Sequence, residues 1–362
     1  MNKKNLARLF LTIVIISIIT ISFVFTMLNL NNTSFTPTEE KTLNSLTKVD
    51  NYPLFIMTYY GNYGFTDYLN IGIENLKPGL QTHIMSTDNF SIIVSRRGWG
   101  CTCFTTLNPS AETMFFGRNF DWSTSPKLLL FTSPSNGYAS YTMVDLEMLG
   151  FSSETAILNA SPTKLRKLLN APYWTLDGMN NQGLAVACMA VPIAENTIDP
   201  KKITLGSLEY MRLVLDYAKN VEEALVLWEQ YNVNFAGGPP LHYLISDAEG
   251  NSAIVEFVGG EKKIIRNQYF WQISTNFIIY NSTVEEQDQC WRYSTAIKAL
   301  NASNGIFSLE EAMNLLSTVA QINTQWSTVY DTHTGEVFIA MGRKYNQVHN
   351  YNLHQTRLTS QK

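Results

Sequence analysis

Apolar and polar positions alternate along this chain in a way that predicts mixed strands and helices. Short apolar runs rich in branched side chains predict strands at residues 184–191, 241–246, 253–258 and 264–266. Apolar positions with helical spacing predict helices at residues 208–219, 221–231, 293–300 and 309–320, the last opened by the capping pattern of Ser308 and Glu311. Residues 324–327 open a predicted terminal strand pair that runs through residue 339. The pattern indicates an α+β domain without choosing its architecture.

The N-terminal residues show a different pattern, since residues 9–30 are apolar and carry no charge. Such a run is long enough to span a bilayer. Lys3, Lys4 and Arg8 precede it, and no small-residue cleavage site follows it, which favours an uncleaved signal-anchor over a removed signal peptide. The chain is therefore expected to cross the cell membrane once, with its catalytic domain outside. Secretion after signal peptide cleavage is the alternative.

The remaining chain divides by composition. Residues 31–48 are rich in Thr, Asn and Ser and are predicted to be a tether after the 1–30 membrane segment. Residues 49–100 contain strand-like runs at 54–60 and 91–95, so this propeptide-like segment is expected to fold with the domain that follows. That domain is placed at 101–345, and 346–362 is taken as a C-terminal tail.

A predicted β-hairpin brings together the most reactive residue types. Residues 101–106 alternate and are rich in Thr, Asn108-Pro109-Ser110 has turn chemistry, and residues 113–116 are apolar. Folding back across this turn would place Arg118 and Asp121 beside Cys101.

This trio has two interpretations. A guanidinium lowers the pKa of a nearby thiol by favouring the thiolate, the nucleophilic form of cysteine, and Asp121 could orient a donor such as an amine. Alternatively, Cys101 is a small buried apolar residue, and Arg118 with Asp121 is a structural ion pair. The hairpin alone leaves both open.

Five further motifs follow the nucleophile candidate in order. They are Gly117-Arg118-Asn119-Phe120-Asp121-Trp122, Asp177-Gly178-Met179-Asn180 with Gly183-Leu184, Leu241-His242-Tyr243 running into Ser246-Asp247, Thr275-Asn276, and Trp291-Arg292-Tyr293. With these motifs the chain resembles the choloylglycine hydrolase, penicillin V acylase and acid-ceramidase-like group of N-terminal nucleophile hydrolases. The resemblance implies a four-layer αββα sandwich and a linear amide C–N hydrolase.

The resemblance also implies a mechanism. Autoproteolysis before Cys101 would free an α-amine, whose ordinary pKa of about 7.7 to 8.0 suits a general base for its own thiol. By the same resemblance, Arg118 would stabilise the thiolate and Asp121 would hold the amine. Asn276 would donate to the oxyanion together with a backbone N–H near Ala190, and Arg292 would complete the polar network.

Two departures from the family pattern bear on these expectations. The interval from Cys101 to Arg118 is one residue longer than is common, and Cys103 offers an alternative nucleophile with an interval one residue shorter. Cys101 is preferred because Thr102 follows it, as in the family, and Gly100 leaves the bond accessible. Ala190 stands where bile-salt-cleaving relatives carry Asn, which weakens a bile-salt assignment.

Simpler structural roles compete with several of these assignments. Asn276 follows an apolar run and is also a typical turn former. Arg292 lies in a segment, 290–300, that predicts an amphipathic helix, where a surface salt bridge is common. Asp177 and Asn180 are expected to shape a turn, and His242 to be a hydrogen-bonded core histidine. The apolar run 127–131 could line an acyl pocket or belong to the core.

Charge and cysteine content narrow the function class. A net charge of −4 without a basic patch argues against nucleic-acid binding. The four cysteines have no metal-ligand spacing, so neither a metal nor a cofactor is expected, and a Cys188–Cys290 disulfide stays open. A small-molecule N-acyl amide is the expected substrate, with the oligomeric state undetermined. The alternatives are a catalytically silent membrane-anchored binding protein and a papain-like thiol protease with His242 or His333 as base.

Overall fold

The computed structural model describes residues 35–73, 100–110 and 113–355. The predicted membrane segment at residues 9–30 and the strand-like run at 91–95 lie outside these ranges. Within the ranges, none of the helices combines the length and apolar character needed to cross a bilayer.

The strands carry most of the buried residues. In chain order they are β1 Thr47–Asp50, β2 Leu54–Tyr59, β3 Gly100–Asn108, β4 Thr113–Asp121, β5 Lys127–Thr132, β6 Ser140–Asp145, β7 Asp177–Asn180, β8 Ala185–Ala190, β9 Thr204–Gly206, β10 Asn232–Asn234, β11 Leu241–Ser246, β12 Ser252–Val258, β13 Glu261–Arg266, β14 Gln272–Ser274, β15 Thr324–Asp331, β16 Glu336–Met341 and β17 Val348–Asn352.

Helices lie between and outside these strands. The α-helices are α1 Pro37–Asn44, α2 Phe65–Ile71, α3 Glu154–Leu158, α4 Pro162–Leu165, α5 Glu209–Tyr217, α6 Val221–Glu229, α7 Val284–Asp288, α8 Trp291–Ala302 and α9 Leu309–Thr318, with 3₁₀ helices at Leu146–Leu149 and Arg166–Tyr173. The predicted capping pattern of Ser308 and Glu311 is present as a reciprocal capping box at α9.

Two large sheets form the framework. The nine-stranded sheet has the order β1-β2-β5-β6-β7-β8-β11-β12-β13, and the six-stranded sheet has the order β14-β3-β4-β15-β16-β17. All neighbours in the larger sheet are antiparallel except β2 and β5, which are parallel. A small parallel pair, β9 and β10, stands apart.

The main core lies between the two sheets. Phe120 and Trp326 of the six-stranded sheet stack with ring centroids 4.1 Å apart, and they share one buried cluster with Met143 and Met179 of the larger sheet. The outer face of the six-stranded sheet packs on α8 and α9. Helices α5 and α6 and the 3₁₀ segments cover the larger sheet. The fold is therefore an α+β sandwich of two sheets with helices on the outside.

Residues 35–73 are part of this sandwich. Strand β2 extends the nine-stranded sheet, pairing Leu54 with Lys127, and the Tyr52 hydroxyl donates to Gln325 Oε1 of the six-stranded sheet at 3.0 Å. The prediction of a tether is wrong for residues 37–48, because α1 opens with its own capping box at Thr36 and β1 follows. The predicted tail likewise begins with β17, an edge strand of the six-stranded sheet.

Two open questions from the sequence are decided by the fold. The run at 127–131 lies in β5 and is entirely buried, which favours a place in the core over the lining of an acyl pocket. Its Lys127 ammonium is paired with Asp145 Oδ2 at 2.7 Å. All four cysteines are free thiols, so Cys188 and Cys290 are not joined.

Candidate active site

The predicted hairpin is present as β3 and β4. The register places Gly100 opposite Asp121, Cys101 opposite Phe120 and Cys103 opposite Arg118. Because side chains alternate along a strand, Cys101, Cys103 and Arg118 share the face that looks toward the nine-stranded sheet. The hairpin therefore brings both thiols to one guanidinium.

Arg118 lies between the two thiols and is fully buried. Its Nη2 is 3.6 Å from Cys101 Sγ and its Nη1 is 3.1 Å from Cys103 Sγ. Its Nε is 2.9 Å from Asp177 Oδ2, and this carboxylate also accepts hydrogen bonds from Trp326 Nε1 and the Tyr330 hydroxyl. Asp177 thus compensates the buried charge of Arg118, rather than shaping a turn as predicted.

Burial decides the acidity of the thiols. It raises the pKa of Cys101, and the attraction of Arg118 only opposes that rise. In the same way, burial raises the pKa of Cys103 to about 12. Arg118 does lower the pKa of each thiol, as expected, but desolvation raises it by more. Burial therefore favours the neutral form of both thiols.

Asp121 occupies the opposite face of β4 from Arg118. Its Oδ1 accepts from the Thr324 hydroxyl at 2.5 Å and its Oδ2 from Gln321 Nε2 at 2.7 Å. A Cβ added at Gly100 would lie 2.9 Å from Asp121 Oδ2. The carboxylate is thus beside Gly100, the residue that precedes Cys101. Burial raises its pKa, against the hydrogen bonds from Gln321 and Thr324.

Asn276 holds the backbone of the candidate nucleophile. Its Oδ1 accepts from the Cys101 backbone N–H at 2.6 Å and from Arg292 Nη2 at 2.9 Å. Since arginine only donates, the atom facing Arg292 must be the amide oxygen. Its Nδ2 donates to the Ala190 carbonyl at 2.7 Å. In the uncut chain the expected oxyanion donor is therefore engaged, and Ala190 contributes its carbonyl oxygen rather than its N–H to this contact.

Arg292 reaches the site from the outer helix layer. It lies in the first turn of α8, and its Nη1 donates to the Cys101 carbonyl and, at 3.1 Å, to Thr102 Oγ1. Its side chain is buried among these partners. The alternative of a surface salt bridge is therefore wrong, and Arg292 fixes the peptide that follows Cys101.

Two other candidates have structural roles. Asn180 accepts from the backbone of Gln182 and Leu184 and donates to the Ala218 carbonyl at 2.7 Å, which makes it the turn residue that the sequence predicted. His242 is buried, with Nδ1 2.8 Å from Glu256 Oε1 and Nε2 2.7 Å from the Thr275 carbonyl. A papain-like pairing of Cys101 with His242 is thus not formed.

Sequence reasoning missed three groups of contacts. The first is Asp177 as the partner of Arg118, and the second is Gln321 with Thr324 around Asp121. The third is Glu256 on β12, which is the partner of His242 on the neighbouring strand β11. His242 and Glu256 each interrupt an apolar run in neighbouring strands, and such polar residues are a signal for a buried hydrogen-bonded pair.

A comparison with family models supplies the identification. Residues 101–295 match the model described as "Linear amide C-N hydrolases, choloylglycine hydrolase family", which is more than half of the chain's 362 residues. The chain belongs to this family. The match begins at Cys101, the residue that the geometry also singles out.

Individual relatives of this choloylglycine hydrolase family member are distant. It is 27% identical over 193 residues to penicillin V acylase of Pectobacterium atrosepticum, covering 49% of each chain. An uncharacterized protein of Paramecium bursaria Chlorella virus 1 is 28% identical over 138 residues, 36% of this chain and 49% of its own. The chain thus spans about half the length of the curated relatives it matches.

Solved structures support the fold. A mutant of conjugated bile acid hydrolase from Clostridium perfringens superposes with a TM-score of 0.52 at 15% identity, over 70% of this chain and 93% of that one. At this level of identity the similarity concerns the N-terminal-nucleophile-hydrolase-like fold alone.

Proposed function

We propose that this protein hydrolyses the C–N bond of a linear, non-peptide N-acyl amide with Cys101 as an N-terminal nucleophile, freed by autoproteolysis at Gly100–Cys101. One observation carries the proposal: the backbone nitrogen of Cys101 lies 2.6 Å from Asn276 Oδ1, while its thiol lies 3.6 Å from Arg118 Nη2. Amine and thiol of a single residue would each have a dedicated partner. The αββα arrangement of the N-terminal nucleophile hydrolases is the architecture that we propose for this sandwich.

Strand pairing favours Cys101 over Cys103. Cys103 is paired on both sides, with Arg118 of β4 and with Ser274 of β14. Cleavage before Cys103 would therefore break β3 at a position where it pairs with both β4 and β14. Cys101 lies beyond the last β14 pair, so a cut before it removes only the first residue of β3.

The proposed reaction starts with the freed α-amine. It takes the thiol proton, and the thiolate attacks the amide carbonyl to form a tetrahedral intermediate. The amine leaving group departs with a proton, an acyl-thioester remains on Cys101, and water releases the acid. Arg118 stabilises the thiolate, and Arg292 with Asn276 holds the Cys101 backbone. Donation to the oxyanion by Asn276 stays a prediction, because substrate must compete with the Ala190 carbonyl for Nδ2.

The proposed substrate class is a small-molecule N-acyl amide. The relatives named above are a penicillin V acylase and a conjugated bile acid hydrolase, and Ala190 weakens the bile-salt choice. We also propose that residues 9–30 anchor the protein in the membrane with the catalytic domain outside. Cell fractionation with protease accessibility tests that placement, and release of the catalytic domain into the medium would indicate a cleaved signal peptide instead.

Intact mass and N-terminal sequencing of the full chain test the mechanism, with Cys101→Ala and Cys103→Ala as matched variants. The expected product begins at Cys101, forms in wild type and Cys103→Ala, and is absent in Cys101→Ala. Hydrolysis of phenoxyacetyl, fatty acyl and bile-acid amides is then measured on the cut protein. A product that begins at Cys103 would move the nucleophile, and an uncut, inactive wild type would favour the silent binding protein.

A further inference from the structure

A buried hydrogen-bonded pair lies behind Asn276. His242 on β11 and Glu256 on β12 are both fully buried, and His242 Nδ1 is 2.8 Å from Glu256 Oε1. The two strands are neighbours, with Tyr243 opposite Val255, so the pair bridges adjacent strands. Neither side chain contacts Cys101, and the reaction proposed above does not use them.

The remaining hydrogen bonds of this pair end on one short segment, residues 274–280, which carries Asn276. Glu256 Oε1 accepts from the Ile279 N–H at 2.9 Å and Oε2 accepts from the Tyr280 N–H at 2.8 Å. At the other end of the segment, His242 Nε2 is 2.7 Å from the Thr275 carbonyl. The pair therefore fastens the chain on both sides of Asn276.

The partners also determine where the hydrogens lie. A backbone carbonyl only accepts, so Nε2 of His242 must donate to Thr275. Its Nδ1 faces a carboxylate oxygen that already accepts from Ile279. The Ser274 hydroxyl, from the same segment, also lies 3.1 Å from Nε2. Because a buried polar group left without its partner is costly, the two side chains hold the segment as a unit.

We propose that His242 and Glu256 are positioning residues of the active site, acting through Asn276. They place Asn276 Oδ1 within 2.6 Å of the Cys101 nitrogen and 2.9 Å of Arg292 Nη2. The inference rests on the proposed function, since it assigns the pair a task in amine positioning. A displacement of about 1 Å in such a group can cost about 100-fold in rate.

Glu256→Gln is the decisive variant. Glutamine has nearly the same shape, but its NH₂ would face a donor, either His242 Nδ1 or a backbone N–H. Asp216→Asn is the matched control, because Asp216 is equally buried and paired with Arg212 at 2.6 Å and the Tyr63 hydroxyl at 2.5 Å. Both variants change a buried, hydrogen-bonded carboxyl group to an amide, and only the first disturbs residues 274–280.

Two readouts decide the proposal. In the cut protein, kcat of Glu256→Gln is expected to fall about 100-fold with KM within about twofold of wild type, whereas Asp216→Asn keeps its kcat. Crystal structures of both variants are then compared in an uncut Cys101→Ala background. Asn276 Oδ1 is expected to lie beyond hydrogen-bond distance of the residue 101 nitrogen in Glu256→Gln and to keep this contact in Asp216→Asn.

The outcomes separate the two proposals. An inactive wild type would count against the proposed function, and the crystal structures would still decide whether the pair positions Asn276. An active wild type whose Glu256→Gln variant keeps both kcat and the Asn276 contact would overturn the positioning role. Equal loss of kcat in Glu256→Gln and Asp216→Asn would also overturn it, since general destabilisation would then account for the effect.

Discussion

Cys101 combines two groups whose environments differ. Its thiol is buried beside Arg118, where desolvation raises the pKa, and its backbone nitrogen is bound to Asn276. In the uncut chain the nitrogen is an amide and cannot act as a base. In the proposed mechanism the thiol is therefore inactive until cleavage frees an α-amine that can accept its proton.

Gly100 has no room for a side chain. A Cβ at this position would lie 1.8 Å from Gln321 Nε2, the atom that donates to Asp121 Oδ2. Gly100→Ala must therefore push Gln321 away from Asp121. We expect cleavage before Cys101 to slow at least severalfold, followed by intact mass over time.

The double variant Gly100→Ala, Gln321→Ala serves as the control, because it removes the overlapping atom. If cleavage of Gly100→Ala proceeds at the wild-type rate, Gly100 has no steric role. If Gln321→Ala alone and the double variant are both cleaved as slowly as Gly100→Ala, the loss of the Asp121 contact limits cleavage, and the overlap does not.

Asp177 is the charge partner of the buried Arg118. Asp177→Asn leaves the buried Arg118 guanidinium without a compensating charge, and we expect the free energy of unfolding to fall by about 3–5 kcal/mol. Urea unfolding measures it. Combining Asp177→Asn with Arg118→Met removes the orphaned charge and should recover part of the loss. A double variant as unstable as the sum of the single ones would contradict this account.

At the scale of elements, the alternation of side chains along β4 explains why Arg118 and Asp121 have different partners. Arg118 and Asp121 are three residues apart on β4, so they point to opposite faces. One face meets the thiols and the nine-stranded sheet, and the other meets Gln321 and Thr324, which follow α9. Helix α8 contributes Arg292 from the same outer layer. The site therefore includes side chains from both faces of the six-stranded sheet.

Helix α5 begins with a buried carboxyl group, that of Glu209. Burial raises the pKa of Glu209 to about 7, from an ordinary value of 4.5. Between these values the folded protein keeps a proton that the unfolded chain releases, so the free energy of unfolding falls as pH rises through this window, by about 3 kcal/mol. Below pH 4.5 and above pH 7 this group adds no further change.

Glu209→Gln removes this loss because the amide does not ionise. Unfolding free energies measured from pH 4 to pH 8 should diverge, with the variant gaining on wild type as pH rises. Glu222→Gln on α6 is the control, since its carboxylate is exposed and paired with Arg266. Parallel curves for wild type and Glu209→Gln would show that Glu209 is ionised in the fold without penalty.

At the scale of the whole molecule, the segment before the nucleophile belongs to the folded body. Tyr63, Phe65 and Tyr68 are buried and pack around Tyr173, with ring centroids 5.7 to 6.2 Å from it. Asp50 accepts from His349 Nε2 at 2.7 Å, which joins the segment to β17. Cleavage at Gly100 would cut the chain without removing these contacts.

We therefore expect both fragments to stay together after cleavage. They should co-elute in gel filtration and separate only in denaturing electrophoresis. Phe65→Ala removes a buried ring, typically worth about 3–5 kcal/mol, and should weaken retention, whereas the exposed Asp67→Ala should not. Loss of the N-terminal fragment from the wild-type protein on gel filtration would contradict this expectation.

Local pattern was sufficient for several features of this protein. The Thr-rich hairpin, the capping box of Ser308 and the apolar strands around His242 each follow from neighbours in sequence, and the ordered motifs were sufficient to indicate the family. These features depend on propensity and periodicity, which act over a few residues. The membrane segment at residues 9–30 is likewise a sequence prediction, outside the described residues.

Tertiary structure alone decided the rest. Asp177 became the partner of Arg118 because β4 and β7 lie in facing sheets, and burial reversed the expected shift of the Cys101 pKa. Residues 37–48 had the composition of a tether but formed α1 and β1 against the larger sheet. Long-range packing sets desolvation and brings distant charges together, and neither effect is written in the local spacing of residues.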